Sequence, residues 1–171
     1  MPLSKNTGTE KESLRASLDA HRRAVRWKLD GLSDDQLRQP MTSSGTNLLG
    51  LVKHLGGAEY SWFCETFGRS VEPYPFDFDV EGSDLRVEPG ETTSDIVEFY
   101  SRACDAADGV LAESSLDEVG TSYSGSAVSL RWVLIHMVAE TARHAGHMDI
   151  IRELIDGATG AFPQRQRVDE S

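Results

Sequence analysis

The chain is 171 residues long, enough to bury a hydrophobic core of its own, and a single domain spanning residues 1–171 is expected. Its formal net charge of −11, from 28 acidic against 17 basic residues, leaves no basic run that could displace counterions from phosphates. Nucleic acids and anionic membranes are therefore not expected as partners, and no apolar run approaches the ~18 residues of a membrane span.

Residues 1–8 carry no apolar pattern, read as a flexible arm, and lack the apolar segment of a secretion signal. The two cysteines, Cys64 and Cys104, make no CxxC pair and are expected as reduced thiols, which points to the cytosol. From about Glu10 to Leu29, the residues Leu14, Leu18, Ala20, Val25 and Leu29 recur mostly at helical spacing, with Arg and Lys on the other side. This first helix should end at Asp30-Gly31, where glycine suits a C-terminal cap. Ser33-Asp34-Asp35-Gln36 has the form of a capping box and predicts a short helical turn before Pro40. The loop over 42–47 should then supply an N-cap for the next helix.

That second long helix is predicted over about 47–67, with Leu48, Leu51, Val52, Leu55, Ala58, Trp62 and Phe63 as its apolar stripe. Trp62, Phe63 and Trp132 are expected in the core. Gly50, Gly56 and Gly57 each weaken the helix by about 1 kcal/mol relative to alanine, which suggests close approach of a neighbouring helix or a ligand. Residues 68–91, with Pro73, Pro75 and Pro89, form a crossover of roughly 20 residues, unusually long for a compact domain. It either covers one mouth of the bundle or is a packed surface connection. A third helix starts among the capping candidates Thr92–Asp95 and carries Ile96, Val97, Phe99, Tyr100, Ala103, Ala107, Val110 and Leu111 to about Ser114. A polar loop with a short extended piece leads to a fourth long helix from Ser129 to Asp156, stopped by Gly157, and residues 160–171 read as a flexible tail. Four long helical patterns and no strong strand pattern predict an all-α four-helix bundle.

The fourth helix carries the chemistry. His136, Glu140, His144 and His147 follow one another at spacings of 4, 4 and 3, which puts them in one row on a helix. A carboxylate and imidazoles interrupting an apolar helix need compensation, either from a divalent metal or from salt bridges to Arg143 or an arginine of the first helix. Zn, Ni, Fe and Mn all suit such donors. Glu140 and His144 are spaced to grip one ion together, and His147 is either the third ligand or a base beside the site. His54 would come across from the second helix. Three protein ligands leave positions open for substrate, the mark of a catalytic site. His136 reads more readily as a packed residue, with the alternative that it donates to Glu140. His21 reads as a core or surface residue.

The stretch from His54 to Phe63, of the form HLxxxExxWF, and the stretch from Ala142 to Asp149, of the form ARHxGHxD, together resemble the DinB-like superfamily of metal-dependent four-helix bundles. The match is closest to its mycothiol-dependent transferase branch. The resemblance implies an up-down-down-up bundle with a divalent metal, zinc foremost, held by His54 and two groups of the last helix. His54 falls on the first ligand position, and Glu140 and His144 fall where relatives carry HxxxH or ExxxH pairs; His147 competes with Glu140. The implied activity is attack of a low-molecular-weight thiol on a small electrophile, with Arg143 as a substrate-binding candidate and a homodimer as a common state. An isomerase or hydrolase on the same scaffold, or a non-enzymatic binding bundle for stress response, are the other readings.

Overall fold

A computed structural model describes residues 7–162. The expected helical character holds: there are five helices and one short ribbon of two strands. Helix α1 covers Glu10–Trp27, the short α2 Asp34–Arg38, α3 Leu48–Glu59, α4 Thr93–Glu113 and α5 Leu130–Asp156. Strands β1 (Val119–Thr121) and β2 (Ala127–Ser129) pair antiparallel between α4 and α5, where the sequence predicts an extended piece. The helix starts are written in the sequence. Thr9, Ser33 and Thr92 each close a capping box, and the Asn47 and Ser129 side chains accept from backbone N–H groups of Gly50 and Trp132. At the other end of α5, Gly157 takes a left-handed φ of 78°, as its position predicts.

α1 packs along α5, α3 along α4, and α3 also against α5. One core cluster joins Val25 of α1, Leu51 and Leu55 of α3, Tyr100 of α4 and Met148 of α5; a second joins Leu18, Phe63, Leu111 and Met137. The α3 glycines mark close approaches. A Cβ on Gly56 would stand 2.7 Å from the Phe99 ring of α4, one on Gly57 2.5 Å from Phe76, and one on Gly50 would collide with the Leu85 carbonyl. Two of the three thus face the 68–92 crossover, which is seated directly on α3.

Beyond Glu59 the helix widens into a π-helical turn over Tyr60–Cys64 and then tightens into a 3₁₀ turn over Glu65–Phe67, ended by Gly68. Such a π insertion shifts the side-chain register and is frequent beside functional sites. Two neighbours expected together in the core differ here: Phe63 is fully buried, while Trp62 is only half-buried, packing partly on the second cluster and lining a cavity. Trp132 also departs from expectation, at 48% exposed.

The helix-one cations correct another expectation. Arg22 and Lys28 are buried, not solvated. Arg22 grips Glu59 of α3 with two bonds of 2.7 and 2.6 Å and reaches Asp108 of α4 at 2.8 Å. Lys28 pairs with Asp149 of α5 at 2.5 Å and donates to the Gly160 carbonyl at 2.6 Å, so part of the segment expected to be a tail is tied down. Lys53 of α3 likewise anchors the crossover, to Glu91 at 2.7 Å and to the Arg86 carbonyl at 2.9 Å. The remainder of the expected arm and tail, residues 1–6 and 163–171, lies outside the described residues. Among the described residues no helix is long and apolar enough to cross a membrane.

Candidate metal centre and its cavity

α3 and α5 bring His54, Glu140 and His144 together, with one potential ligand atom from each lying within 4.8 Å of the others. The His144 Nε2 is 2.9 Å and the His54 Nε2 3.2 Å from the same oxygen, Glu140 Oε1. The two imidazole rings meet edge to face, with centroids 4.7 Å apart. On the far side of His54, Nδ1 lies 2.7 Å from Asp84 Oδ2, a residue of the crossover.

Valence shows what this arrangement asks for. A neutral His54 that donates from Nδ1 to Asp84 turns the bare lone pair of Nε2 towards a carboxylate oxygen. His144 Nε2 is aimed at the same oxygen, while its Nδ1 is buried with no hydrogen-bond partner. Protonating both rings would place two positive charges within one ring contact. A cation shared by two nitrogens and one oxygen satisfies all three groups, and the Asp84–His54 bond is the kind that fixes a ligand histidine's tautomer. The donor set of two imidazoles and a carboxylate therefore fits a divalent metal of the Zn, Ni, Fe or Mn kind.

Electrostatics agree. Burial pushes the Glu140 carboxyl up, but the bond to His54 and the neighbouring His144 outweigh it and hold it below its ordinary range. Burial and the nearby His54 keep His144 below its ordinary value, more than Glu140 raises it. A carboxylate that stays ionised and an imidazole that stays neutral are the forms in which these groups bind metal.

The other expected residues are placed differently. His147 is exposed, with its ring 5.3 Å from that of His144, and stands outside the set of three. Arg143 is exposed, makes no ion pair with Glu140 and does not line the cavity. The salt-bridge alternative for Glu140 is not what forms: its partners are the two histidines, and the buried arginine of α1 goes to Glu59 instead. His136 makes no bond to Glu140; it lies parallel to Trp132 at 5.1 Å and against Trp62 at 4.5 Å. His21 is half-buried on α1, outside the cluster.

The cluster opens on a cavity of about 620 Å³, and His54 and Glu140 form part of its wall. Trp62 and Ser61 of the π turn, Phe76 and Phe78 of the crossover, and Tyr123 of the β1–β2 turn complete much of the rest. The crossover expected to cover one mouth of the bundle does line the cavity, but Asp84 and the aromatic wall are not identified in the sequence. The one available signal was the crossover's unusual length and its Tyr74-Pro75-Phe76-Asp77-Phe78 run. Neither cysteine belongs to the site: burial first, and then the negative charge of Glu59, pushes the Cys64 thiol up to about 11 and the Cys104 thiol up to about 12.

The family model described as mycothiol-S-transferase aligns with residues 13–157, which include every residue of the cluster. No curated protein matches the chain at a significant level.

Proposed function

Because the chain belongs to the mycothiol-S-transferase family, within the DinB-like superfamily, we propose that it is a metal-dependent enzyme joining mycothiol or a similar low-molecular-weight thiol to small electrophiles. In this reading α1, α3 with its π and 3₁₀ turns, α4 and α5 form one up-down-down-up bundle domain. The ligands are His54, Glu140 and His144. The observation that carries the proposal is the convergence of two Nε2 atoms on one Glu140 oxygen at a cavity wall.

Each residue then has a task. Asp84 holds the proton on His54 Nδ1 and so keeps Nε2 free to bind. Glu140 supplies the negative charge that the pair of neutral imidazoles lacks. A divalent ion, zinc foremost, lowers the pKa of a thiol so that thiolate is present at neutral pH. The protein's own thiols are buried and hold their protons, so the sulfur nucleophile must come from a co-substrate. His147, beside His144 and exposed, is in place to exchange protons with solvent. The site is proposed to work in the cytosol, and the protein as a homodimer.

The test is conjugation of an electrophile by the purified protein, with and without mycothiol and before and after chelation. Conjugate that requires both thiol and metal is expected. Turnover that needs metal but no thiol would replace this reading with an isomerase or hydrolase on the same scaffold.

A further inference from the structure

Resting on the transferase reading, we infer that this cavity selects a planar, aromatic, uncharged electrophile and turns anionic ones away. Two independent features of the wall lead there.

The first is its aromatic lining. Trp62 forms a central ring of the wall, with Tyr123 edge-on to it at 5.5 Å and His136 against it at 4.5 Å. Trp132 backs His136 in parallel at an interplanar angle of 5°. The crossover contributes Phe76 and Phe78, themselves edge to face at 5.0 Å. Phe78 is 65% and Tyr123 81% exposed, so aromatic surface is left in water around an open cavity. Exposed, grouped aromatic surface marks a binding site, and rings stack best on rings.

The second is charge. The wall holds Glu65, Asp84 and Glu140, and no lysine or arginine. With a divalent ion bound, its two charges would offset Glu140 and Asp84, but Glu65 stands outside that set as the exposed residue of the 3₁₀ turn. A chain of net charge −11 adds a field of the same sign. An anionic ring would gain stacking and lose more through repulsion, which is specificity by a built-in unfavourable contact. In the transfer the thiol sulfur bonds to a carbon carried by the ring and the bond from that carbon to its leaving group breaks. The leaving group takes the electron pair as an anion, and the thiol proton passes to solvent. The same acidic wall then favours departure of that anion.

Calorimetric binding to the metal-loaded protein tests this with two unreactive probes of nearly equal shape. Methyl 4-nitrophenyl sulfone is neutral; 4-nitrobenzenesulfonate is an anion and a poor metal ligand. The sulfone is expected to bind at least about ten-fold tighter. Trp62→Leu should weaken it about ten-fold while Trp62→Phe largely restores it, and Glu65→Gln should narrow the gap between the probes. Metal content and circular dichroism of the variants distinguish a lost wall from a lost fold. Equal or tighter binding of the sulfonate overturns the charge selection, and sulfone binding indifferent to Trp62→Leu in a folded, metal-loaded variant overturns the aromatic wall. The outcome is separable from that of the transferase reading: probes that behave as expected in a protein lacking thiol conjugation would leave the cavity's preference standing and remove the activity assigned to it.

Discussion

Helix α3 carries two polar clusters five residues apart in sequence, one buried and one partly exposed, and they are built on opposite plans. At Glu59 the valences close. Arg22 gives it two parallel bonds, the two hydrogens of a further guanidinium nitrogen go to Asp108 and Asp19 at 2.8 and 3.2 Å, and both partners of the central pair are almost completely buried. Burial alone would lower the pKa of Arg22, but Glu59 outweighs it and keeps the guanidinium protonated. At His54 the valences stay open: two nitrogens face one oxygen, a third nitrogen has no partner, and a cavity lies alongside. A closed ion pair ties helices together, whereas acceptors that crowd together without enough protons to share await a cation. The contrast distinguishes a structural polar cluster from a chemical one without reference to any relative.

Stability should follow the first cluster. Removing one partner of the buried pair, in Arg22→Met, leaves Glu59 uncompensated and should cost about 3–5 kcal/mol in urea unfolding. The double change Arg22→Met with Glu59→Leu should recover most of it. His54→Ala, in a half-exposed cluster, should shift the unfolding free energy of the metal-free protein by less than about 1 kcal/mol. A loss at His54 as large as that at Arg22 would erase the distinction.

Asp84→Asn comes next in size. It keeps the shape but removes the charge that fixes His54, and should weaken metal affinity about 10–100-fold in competition with a chelating dye, with little change in stability. Unchanged affinity would make Asp84 a surface neighbour and not part of the site.

The smallest effect concerns the cysteines. With folded pKa values of about 11 and about 12, above the ordinary 9.0, Cys64 and Cys104 add stability that is fully present below pH 9 and lost as pH rises through those values. Alkaline unfolding should therefore be blunted in the Cys64→Ala, Cys104→Ala double variant. Its conjugating activity at neutral pH should stay within about two-fold of wild type. A large drop in activity would bring a protein thiol into the reaction.

How much of this the sequence discloses depends on the range of the forces involved. The long helices and their caps are local, so periodicity, the 42–47 loop, Thr92 and Gly157 announce them. The Glu140–His144 pair is legible for the same reason, since residues four apart on a helix face one way, and the apolar register of α3 was enough to nominate His54. Asp84 is not legible, because it sits in a segment without periodicity and acquires its role only when Gly50 lets Leu85 settle on α3. Trp62 lies at helical spacing from His54 and Ala58 and shares their side of the helix, so the apolar stripe that suggests a core position for it also leads to the cavity. The burial of Lys28 and Arg22 is not legible either, because only tertiary structure supplies Asp149 and Glu59. His147 looked equivalent to Glu140 in spacing; three dimensions separate them.

Metal content tests the central claim most directly. Elemental analysis of chelator-free preparations should find near-stoichiometric divalent metal in wild type and in His147→Ala, and its loss in His54→Ala, Glu140→Gln and His144→Ala. Metal retained in Glu140→Gln but lost in His147→Ala would hand the third ligand position to His147, and metal absent from wild type would contradict the account of the cluster altogether.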